Sequence, residues 1–245
     1  MNRIPWLGPN EPFPDPLITS DPDANVPGLF AVSERIYPGQ LQSAYQVGVF
    51  PWYSDNQPVL WWSPDPRMVL IPDQFKCSDS LKKTLRHFIA DESKAIVVDQ
   101  DFSAIMRACA TNERKGQDGT WITHEIVDAY TALFEQGRAH SIAVMDAGVL
   151  VGGLYCVCFG KAVFGESMFS RQADGSKIAL AALSAFCVQN GIPMIDCQQE
   201  TAHLRSLGAA PIERKTFLQS LQTSLNQSKI ALSWNFTKQI LQHWL

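Results

Sequence analysis

The stretch from Val149 to Gln199 limits the fold of this chain more than any other part of the sequence. Its first half consists of apolar runs broken by four glycines, a pattern typical of a buried β-hairpin. A polar turn at 170–176 then leads into a helix of small and apolar residues at 177–190, and a short buried strand is predicted at 193–196. Strand, helix and strand in this order predict a βαβ unit whose two strands are parallel.

Two carboxylates lie at the ends of these strands. Glu166 to Ser170 close the first strand, and Asp196 to Gln198 close the second. Ligands of open α/β sheets collect at the carboxyl ends of strands, so we expect the active site here. A carboxylate buried without a partner is costly, which favours a functional pair of Glu166 and Asp196. The structural alternative is an ion pair with Lys177 or Arg171.

The first part of the chain is rich in proline and tryptophan. Seven prolines within residues 1–30 exclude regular helix and central strand, and Trp6, Phe13 and Leu17 are expected to anchor this arm on the body of the protein. Trp52, Trp61 and Trp62 follow within eleven residues. Such a group favours a core or a domain seam; the functional alternative is an aromatic face for a flat ligand such as a nucleobase.

The remaining patterns predict the other elements. A strand at 28–33 and a helix at 37–46 come first; further on, helices are predicted at 78–90, 101–110, 123–136, 203–207 and 215–225, and a hairpin at 141–158. Lys82, Lys83 and Arg86 share one side of the helix at 78–90, usually the mark of a solvated face. We expect an N-terminal small domain at 1–65 and a larger α/β domain at 66–245.

Composition narrows the class of protein. Hydrophobic residues make up 46% of the chain and charged residues 18%, as in ordinary soluble domains. No apolar run is long enough to cross a bilayer, and the first residues lack the apolar core of a signal peptide. The six cysteines contain no CxxC pair, which indicates a reduced, cytoplasmic protein. A net charge of −4 argues against general coating of nucleic acid but permits a local basic patch.

The sequence lacks the motifs of nucleophilic, metal-dependent and nucleotide-binding enzymes. Ser167 in GESMF is followed by Met and Phe, where a nucleophile elbow needs a second glycine. Five histidines show no metal-ligand spacing and are interpreted as surface or capping residues. Neither a dinucleotide fingerprint nor a phosphate-binding P-loop is present. The sequence therefore predicts neither a metal nor a cofactor.

A set of short motifs resembles one known family in its order along nearly the whole chain. The motifs are FPWYS (50–54), WWSPDPR (61–67), GTWIT (119–123), GGLY (152–155), FGESMFS (164–170), SK-AL (176–180), IDCQ (195–198), HL-SLGA (203–209) and IERKTF (212–217). Together they resemble leucyl/phenylalanyl-tRNA–protein transferase. The resemblance implies a C-terminal domain of the GCN5-related N-acetyltransferase type behind a smaller N-terminal domain.

The same resemblance implies an activity and its partners. Members of this family move leucine, phenylalanine or, less well, methionine from aminoacyl-tRNA to a protein that begins with Arg or Lys, which marks that protein for degradation by the bacterial N-end rule. We accordingly expect binding of the tRNA 3′ end, no membrane partner and a monomer.

The resemblance also implies roles for particular residues. Asp196 and Gln198 match the catalytic pair, with Asp196 expected to attract and orient the amine, and Glu166 matches an active-site carboxylate. Residues that match the family's binding site for the aminoacyl-adenosine are Trp52, Trp121, Leu154, Val163, Met168, Ser170, Leu183 and Ile195. Lys82, Lys83 and Arg86 match the basic surface that faces the tRNA backbone.

Two other functions remain open from the sequence. An acyl-CoA-dependent N-acetyltransferase would need a glycine-rich pyrophosphate loop before the central helix, and Asp174 stands where the first glycine belongs, so it would repel phosphate. A binding module could instead hold a tRNA end or a protein N-terminus without catalysis. Asp196 and Gln198 at a strand end beside apolar residues favour an enzyme.

Overall fold

The computed structural model describes residues 4–18, 26–37, 39–111, 122–227 and 232–245. Its strands are β1 (Trp6–Leu7), β2 (Leu29–Ser33), β3 (Phe50–Pro51), β4 (Val59–Trp62), β5 (Arg67–Leu70), β6 (Lys94–Val98), β7 (Ala139–Asp146), β8 (Val149–Phe159), β9 (Ala162–Ser170), β10 (Ile195–Gln198) and β11 (Ala210–Ile212). Its α-helices are α1 (Gln40–Gln46), α2 (Asp79–Ala90), α3 (Phe102–Ala110), α4 (His124–Glu135), α5 (Gly175–Gln189), α6 (Ala202–Ser206) and α7 (Arg214–Leu225). Two 3₁₀ helices cover Pro72–Gln74 and Lys238–Trp244.

The larger of two sheets has seven strands in the order β11-β5-β10-β9-β8-β7-β6. Strands β9 and β10 are parallel and α5 connects them, while every other neighbouring pair in this sheet is antiparallel. The predicted βαβ unit, the hairpin before it and the mixed α/β class are therefore confirmed. Strand β10 begins two residues later than predicted and continues to Gln198, because it pairs with β5 across a bulge after Asp196.

Helices cover both faces of this sheet. Alternate residues of β8 point to opposite sides, as the period of a strand requires. Tyr155, Val157 and Phe159 join the core formed with α3 and α4, whereas Cys156 and Cys158 join the core under α5 and α2. The central strands are therefore buried on both faces, which explains why their sequences are nearly continuous apolar runs.

The smaller sheet has the order β1-β2-β4-β3 and contains residues before Ser63 only. Trp61 is its central core residue and is fully buried, with Phe13 packed edge-on at 5.0 Å between ring centroids. Phe13 thus anchors the N-terminal arm as expected, but Trp6 and Leu17 do not, since they are 61% and 50% exposed. One hydrophobic core includes residues of both sheets. The domain division at residue 65 stays a prediction.

Three predicted helices begin where the sequence places them. Ser78, Asp101 and Thr123, the first residues of these predicted ranges, each accept a hydrogen bond from the backbone N–H three residues on, so each caps its helix. The helix predicted at 37–46 begins only at Gln40. The described part of the chain contains no helix long and apolar enough to cross a membrane. Five of the six cysteines are buried, as expected for thiols that pack as small apolar groups.

Helix α5 lies unusually close to the sheet at its first residue. A Cβ atom placed on Gly152 of β8 would come within 2.6 Å of the backbone of Gly175, and one on Gly175 would meet Gly152 at 3.0 Å. Only two glycines permit this approach. The contact brings Ser176 to Ser170, whose hydroxyl accepts a hydrogen bond from the backbone N–H of Ser176 at 2.8 Å.

The prediction that all five histidines are surface or capping residues is wrong for His140. This residue is only 7% exposed, and its Nδ1 lies 2.7 Å from Oδ2 of Asp99. The ring of Trp234 stacks on it at 3.9 Å, which fixes residues near the C-terminal 3₁₀ helix against the sheet. The sequence around His140 could not reveal this contact, because Trp234 is 94 positions away along the chain.

Candidate active site

A cavity of about 640 Å³ opens where β9 and β10 stop pairing. The two strands are in register at only two positions, Val163 with Ile195 and Phe164 with Asp196. Beyond these pairs, residues 165–170 of β9 face the cavity, and residues 197–199 face it from the other side. The cavity therefore lies at the carboxyl ends of the parallel strands, where the sequence predicted the site.

Apolar side chains form most of the cavity wall. Leu154 of β8, Met168 of β9, Leu183 of α5 and Ile195 of β10 meet there, together with Leu180. Leu154, Leu183 and Ile195 are almost fully buried, whereas Met168 is half-buried. Such a surface suits an apolar side chain and discriminates by size and shape.

Trp52 belongs to a separate wall, together with Phe50 and Pro51. Its backbone carbonyl accepts a hydrogen bond from Nε1 of Trp62 at 2.7 Å, and the two indoles pack edge-on at 5.7 Å. Trp61 of the same group lies in the core. The tryptophan cluster therefore includes both a core residue and an aromatic face beside a cavity, the two interpretations that the sequence offered. Trp52 presents a supported, half-buried aromatic surface to the cavity.

Glu166 is the buried acid of the cavity. Its Oε2 accepts a hydrogen bond from the hydroxyl of Tyr130 at 2.9 Å, and its Oε1 accepts one from Nε2 of Gln198 at 3.0 Å. The hydroxyl of Tyr45 is in turn hydrogen-bonded to that of Tyr130. Burial raises the pKa of Glu166 to about 7, although the hydrogen bonds from the two tyrosines and Gln198 oppose the rise. Glu166 can therefore exchange a proton near neutral pH.

Gln198 is held in a left-handed backbone conformation, with φ of 63°. This conformation is unfavourable for a residue with a side chain, and at functional sites it persists only when surrounding contacts enforce it. One such contact is the hydrogen bond from the backbone N–H of Gln198 to Oδ1 of Asp196, at 2.9 Å. The bulge that separates Asp196 from Gln198 thus aims the Gln198 amide at Glu166.

Asp196 lies behind the cavity wall and is only 1% exposed. Its two oxygens accept hydrogen bonds from Nε and Nη2 of Arg67, at 2.8 Å and 2.6 Å. Asp196 therefore does not line the cavity, and its expected role in attracting the amine stays a prediction. The suggested partners were also different: Lys177 pairs with Asp174, and Arg171 donates to the carbonyl of Leu150.

The other predicted residues divide into three groups. Six of the eight residues expected at the aminoacyl-adenosine contribute to the cavity wall: Trp52, Leu154, Met168, Ser170, Leu183 and Ile195. Val163 does not line the cavity; it packs in the core beside α5 and is 2% exposed. Trp121 lies outside the described residues.

The basic residues predicted to face tRNA lie on α2. Lys83 and Arg86 are exposed and Lys82 is half-buried. The same helix reaches the start of α5, where the hydroxyl of Thr84 donates to Asp174 at 3.1 Å. Across the cavity mouth stands His203 of α6, whose pKa is lowered by burial and, secondarily, by the charge of Lys177.

Sequence reasoning missed the residues that surround the acids. Tyr45, Tyr130 and Arg67 come from distant parts of the chain and meet Glu166 or Asp196 only after folding. The one signal for Arg67 was its place at the end of the WWSPDPR motif. Within the described ranges, no cluster of His, Cys, Asp or Glu is arranged to hold a metal ion.

The sheet splits at its parallel strand pair, and the split holds an apolar cavity with a buried carboxylate–amide pair. This is an α/β fold whose cavity suits a ligand with an apolar group. Comparison with known proteins identifies the family. The model for the leucyl/phenylalanyl-tRNA protein transferase family matches residues 69–222, and the model for the N-terminal domain of the same proteins matches residues 35–65. The chain therefore belongs to this family of aminoacyltransferases.

Individual relatives agree with this assignment. The leucyl/phenylalanyl-tRNA–protein transferase of Burkholderia multivorans is 52% identical over 238 residues, which cover 97% of this chain and 93% of the relative. The protein of the same name from Cupriavidus taiwanensis is 52% identical over 98% of this chain and 96% of its own length.

Similarity to solved structures is weaker. L-PGS from Bacillus licheniformis has a TM-score of 0.39 and 13% identity, over 71% of this chain and 54% of its own. A GCN5-related N-acetyltransferase from Kribbella flavida has a TM-score of 0.33 and 12% identity, over 74% and 63%. Scores this low leave the architecture to be described from the strands and helices of the chain itself.

Proposed function

We propose that this protein transfers leucine, phenylalanine or, less well, methionine from aminoacyl-tRNA to the α-amino group of proteins that begin with Arg or Lys. The product would carry a degradation signal of the N-end rule. Family membership supports the donor, and the observation that carries the proposal is the apolar cavity with Glu166 and Gln198 in its wall. We further propose that the enzyme acts in the cytoplasm as a monomer.

The donor would enter the cavity by its 3′ end. The aminoacyl side chain packs against Leu154, Met168 and Leu183, and the terminal adenine stacks on Trp52, which belongs to the proposed N-terminal domain of residues 1–65. Phe50 and Pro51 of the same domain complete this wall, and the other lining residues come from residues 66–245. A flexible methionine accepts both unbranched and γ-branched side chains, and apolar pockets separate homologues by only about 1–3 kcal/mol per methylene.

Glu166 is the proposed base. The reaction is aminolysis of an ester: the amine nitrogen bonds to the ester carbon, the bond from that carbon to the ribose oxygen breaks, and the nitrogen loses a proton. A carboxylate with a pKa of about 7 accepts that proton better than one with an ordinary value near 4. The leaving ribose oxygen takes a proton from the neighbouring 2′-hydroxyl, and the 2′-oxygen regains one through water from the proton that Glu166 accepted.

Gln198 would orient the amine. Its Nε2 group donates to Glu166, which leaves the carbonyl oxygen of the same amide to accept a hydrogen bond from the incoming nitrogen. Positioning of this kind supplies most of the rate increase that an already activated ester needs. Asp196 contributes through Gln198, because its side chain binds the backbone of that residue.

The tRNA backbone would follow the basic side of α2. Lys82, Lys83 and Arg86 are its proposed contacts, and the bond between Thr84 and Asp174 connects this helix to the start of α5, whose Ser176 lines the cavity. Such contacts with phosphates are sequence-independent and weaken as salt increases. A protein with a net charge of −4 needs a local surface of this kind to bind tRNA.

The test is transfer of labelled leucine from Leu-tRNA to a peptide that begins with Arg, beside a matched peptide that begins with Glu. We expect label on the Arg peptide only, with no added cofactor. Acetyl transfer from acetyl-CoA with no leucine transfer would replace the proposal by the N-acetyltransferase function. Absence of transfer from either donor, with tRNA still bound, would favour a binding module.

A further inference from the structure

Arg67 is the last residue of the WWSPDPR motif and is completely buried. Its Nε and Nη2 hold both oxygens of Asp196, and its Nη1 donates to the backbone carbonyl of Gly48 at 3.2 Å. The guanidinium lies between two aromatic rings, 4.8 Å from the centroid of Phe50 and 4.5 Å from that of Phe217. Each of the three guanidinium nitrogens thus has a hydrogen-bond partner.

The partners of Arg67 lead to two walls of the cavity. Through Asp196 it reaches the backbone of Gln198, whose amide meets Glu166. Phe50, which it contacts face-on, lines the cavity next to Pro51 and Trp52. Arg67 itself does not line the cavity, so it acts only through these residues.

We propose that Arg67 is a positioning residue for aminoacyl transfer: it locks Asp196 in the orientation that fixes the backbone and amide of Gln198 in the cavity. This inference rests on the proposed function. The guanidinium is suited to the task because its planar fork binds a carboxylate at two points, which a lysine cannot do. Locking is needed because Gln198 has a left-handed backbone that local preference alone would not maintain.

The pairing also shields Glu166 from the charge of Asp196. The negative charge of Asp196 is one of the influences that raise the pKa of Glu166, after burial. Without the opposing charge of Arg67, this influence increases, and Glu166 loses its proton only at higher pH. This electrostatic effect is measured as a shift of the pH profile, separately from the positioning of Gln198, which is measured as kcat at the optimal pH.

The experiment compares four proteins with the wild type: Arg67→Met, Arg67→Lys, the double variant Arg67→Met/Asp196→Asn, and Arg214→Met. The double variant removes both charges, which avoids leaving one buried charge unpaired. Arg214 is the matched control, since it is also a buried arginine, it binds the carbonyl of Ser63, and it does not contact Asp196. The kcat and KM for Leu-tRNA are measured from pH 5.5 to 9 and normalised to the folded fraction from circular dichroism.

We expect kcat of the double variant to fall about a hundredfold, the cost of a small misplacement in the site, with KM within about threefold of the wild type. Arg67→Lys should retain an intermediate kcat, and Arg214→Met should keep the wild-type kcat. In Arg67→Met, the acidic limb of the plot of kcat against pH should move to higher pH. In the double variant, which also lacks the charge of Asp196, this limb should move back toward its wild-type position. The substrate amine titrates identically in every protein, so it cancels from the comparison.

A folded double variant with wild-type kcat would overturn the inference, as would an equal loss in Arg214→Met. If Arg67→Met does not fold, the double variant and Arg67→Lys still decide the question. A wild-type protein that transfers no leucine would instead refute the proposed function, so the two failures are distinguishable.

Discussion

Replacement of Glu166 by Gln should stabilise the protein at neutral pH while it removes activity. Burial raises the pKa of this carboxyl from its ordinary 4.5 to about 7. Between these two values the unfolded chain has released the proton and the folded protein still holds it. The stability that this group contributes is therefore fully present below pH 4.5 and is lost as pH rises to about 7. At about 1.4 kcal/mol per pKa unit, the loss is about 3 kcal/mol.

The assay is urea denaturation of the wild type and Glu166→Gln at several values between pH 4.5 and 8, followed by tryptophan fluorescence. Gln lacks one of the two acceptor oxygens that Tyr130 and Gln198 use, which costs about 1 kcal/mol at every pH. The informative quantity is the change with pH. The free energy of unfolding of the variant, relative to the wild type, should increase by about 3 kcal/mol from pH 4.5 to 8.

The same variant should lose about 10²- to 10⁴-fold in kcat, the usual contribution of a general base. Glu135→Gln serves as the control, because Glu135 is exposed at the end of α4. A stability difference that stays constant with pH would refute the reasoning, since it would mean that Glu166 titrates equally in the folded and unfolded chain. Full activity in Glu166→Gln would remove Glu166 from the mechanism but leave the stability argument intact.

Three further changes test the cavity and the fold around it. Trp52→Ala should raise KM for aminoacyl-tRNA about ten- to a hundredfold in steady-state assays, since a stacked base contributes about 1–3 kcal/mol. Trp52→Phe should recover most of the loss, and an unchanged KM in Trp52→Ala would exclude stacking. Met168→Ala should raise kcat/KM for Phe-tRNA relative to Leu-tRNA about tenfold, because it enlarges an apolar wall, and an unchanged ratio would show that Met168 does not contact the donor side chain. Gly152→Ala should lower the free energy of unfolding by about 1–3 kcal/mol in a thermal melt, because its Cβ would meet the backbone of Gly175 at 2.6 Å. Gly165→Ala, with 3.5 Å to the nearest atom, should lower it less. Equal losses of stability would contradict the close-contact argument.

Local patterns predicted the βαβ unit, and the motif resemblance supplied the residues expected in the binding site. Glycines, apolar runs and polar turns determine β9, α5 and β10 from neighbouring residues, and strand ends then place Glu166 and Gln198 together. Met168 and Leu183 followed from motif resemblance and line the cavity, while their contacts with a donor stay predictions. The prediction of the βαβ unit succeeded because it depends on residues close together in the sequence.

The parts that failed depend on pairing between distant segments. Arg67 meets Asp196 only because β5 pairs with β10, 129 positions later, and no sequence period records that pairing. Tyr130 likewise reaches Glu166 from a helix on the far face of the sheet. Val163, also expected at the aminoacyl-adenosine, packs in the core beside the cavity, and its contact with the donor stays a prediction.

The contact between Gly152 and Gly175 has a consequence for how such an enzyme can diversify. Since a side chain at either position would meet main-chain atoms, the spacing between α5 and the sheet is held by main chain alone, and any substitution there costs stability. New donor preferences must arise from exchanges at the walls, such as Leu154 or Met168, while the frame stays constant. The fold thereby separates the cavity-wall residues, which can be exchanged, from the two glycines, where an exchange costs stability.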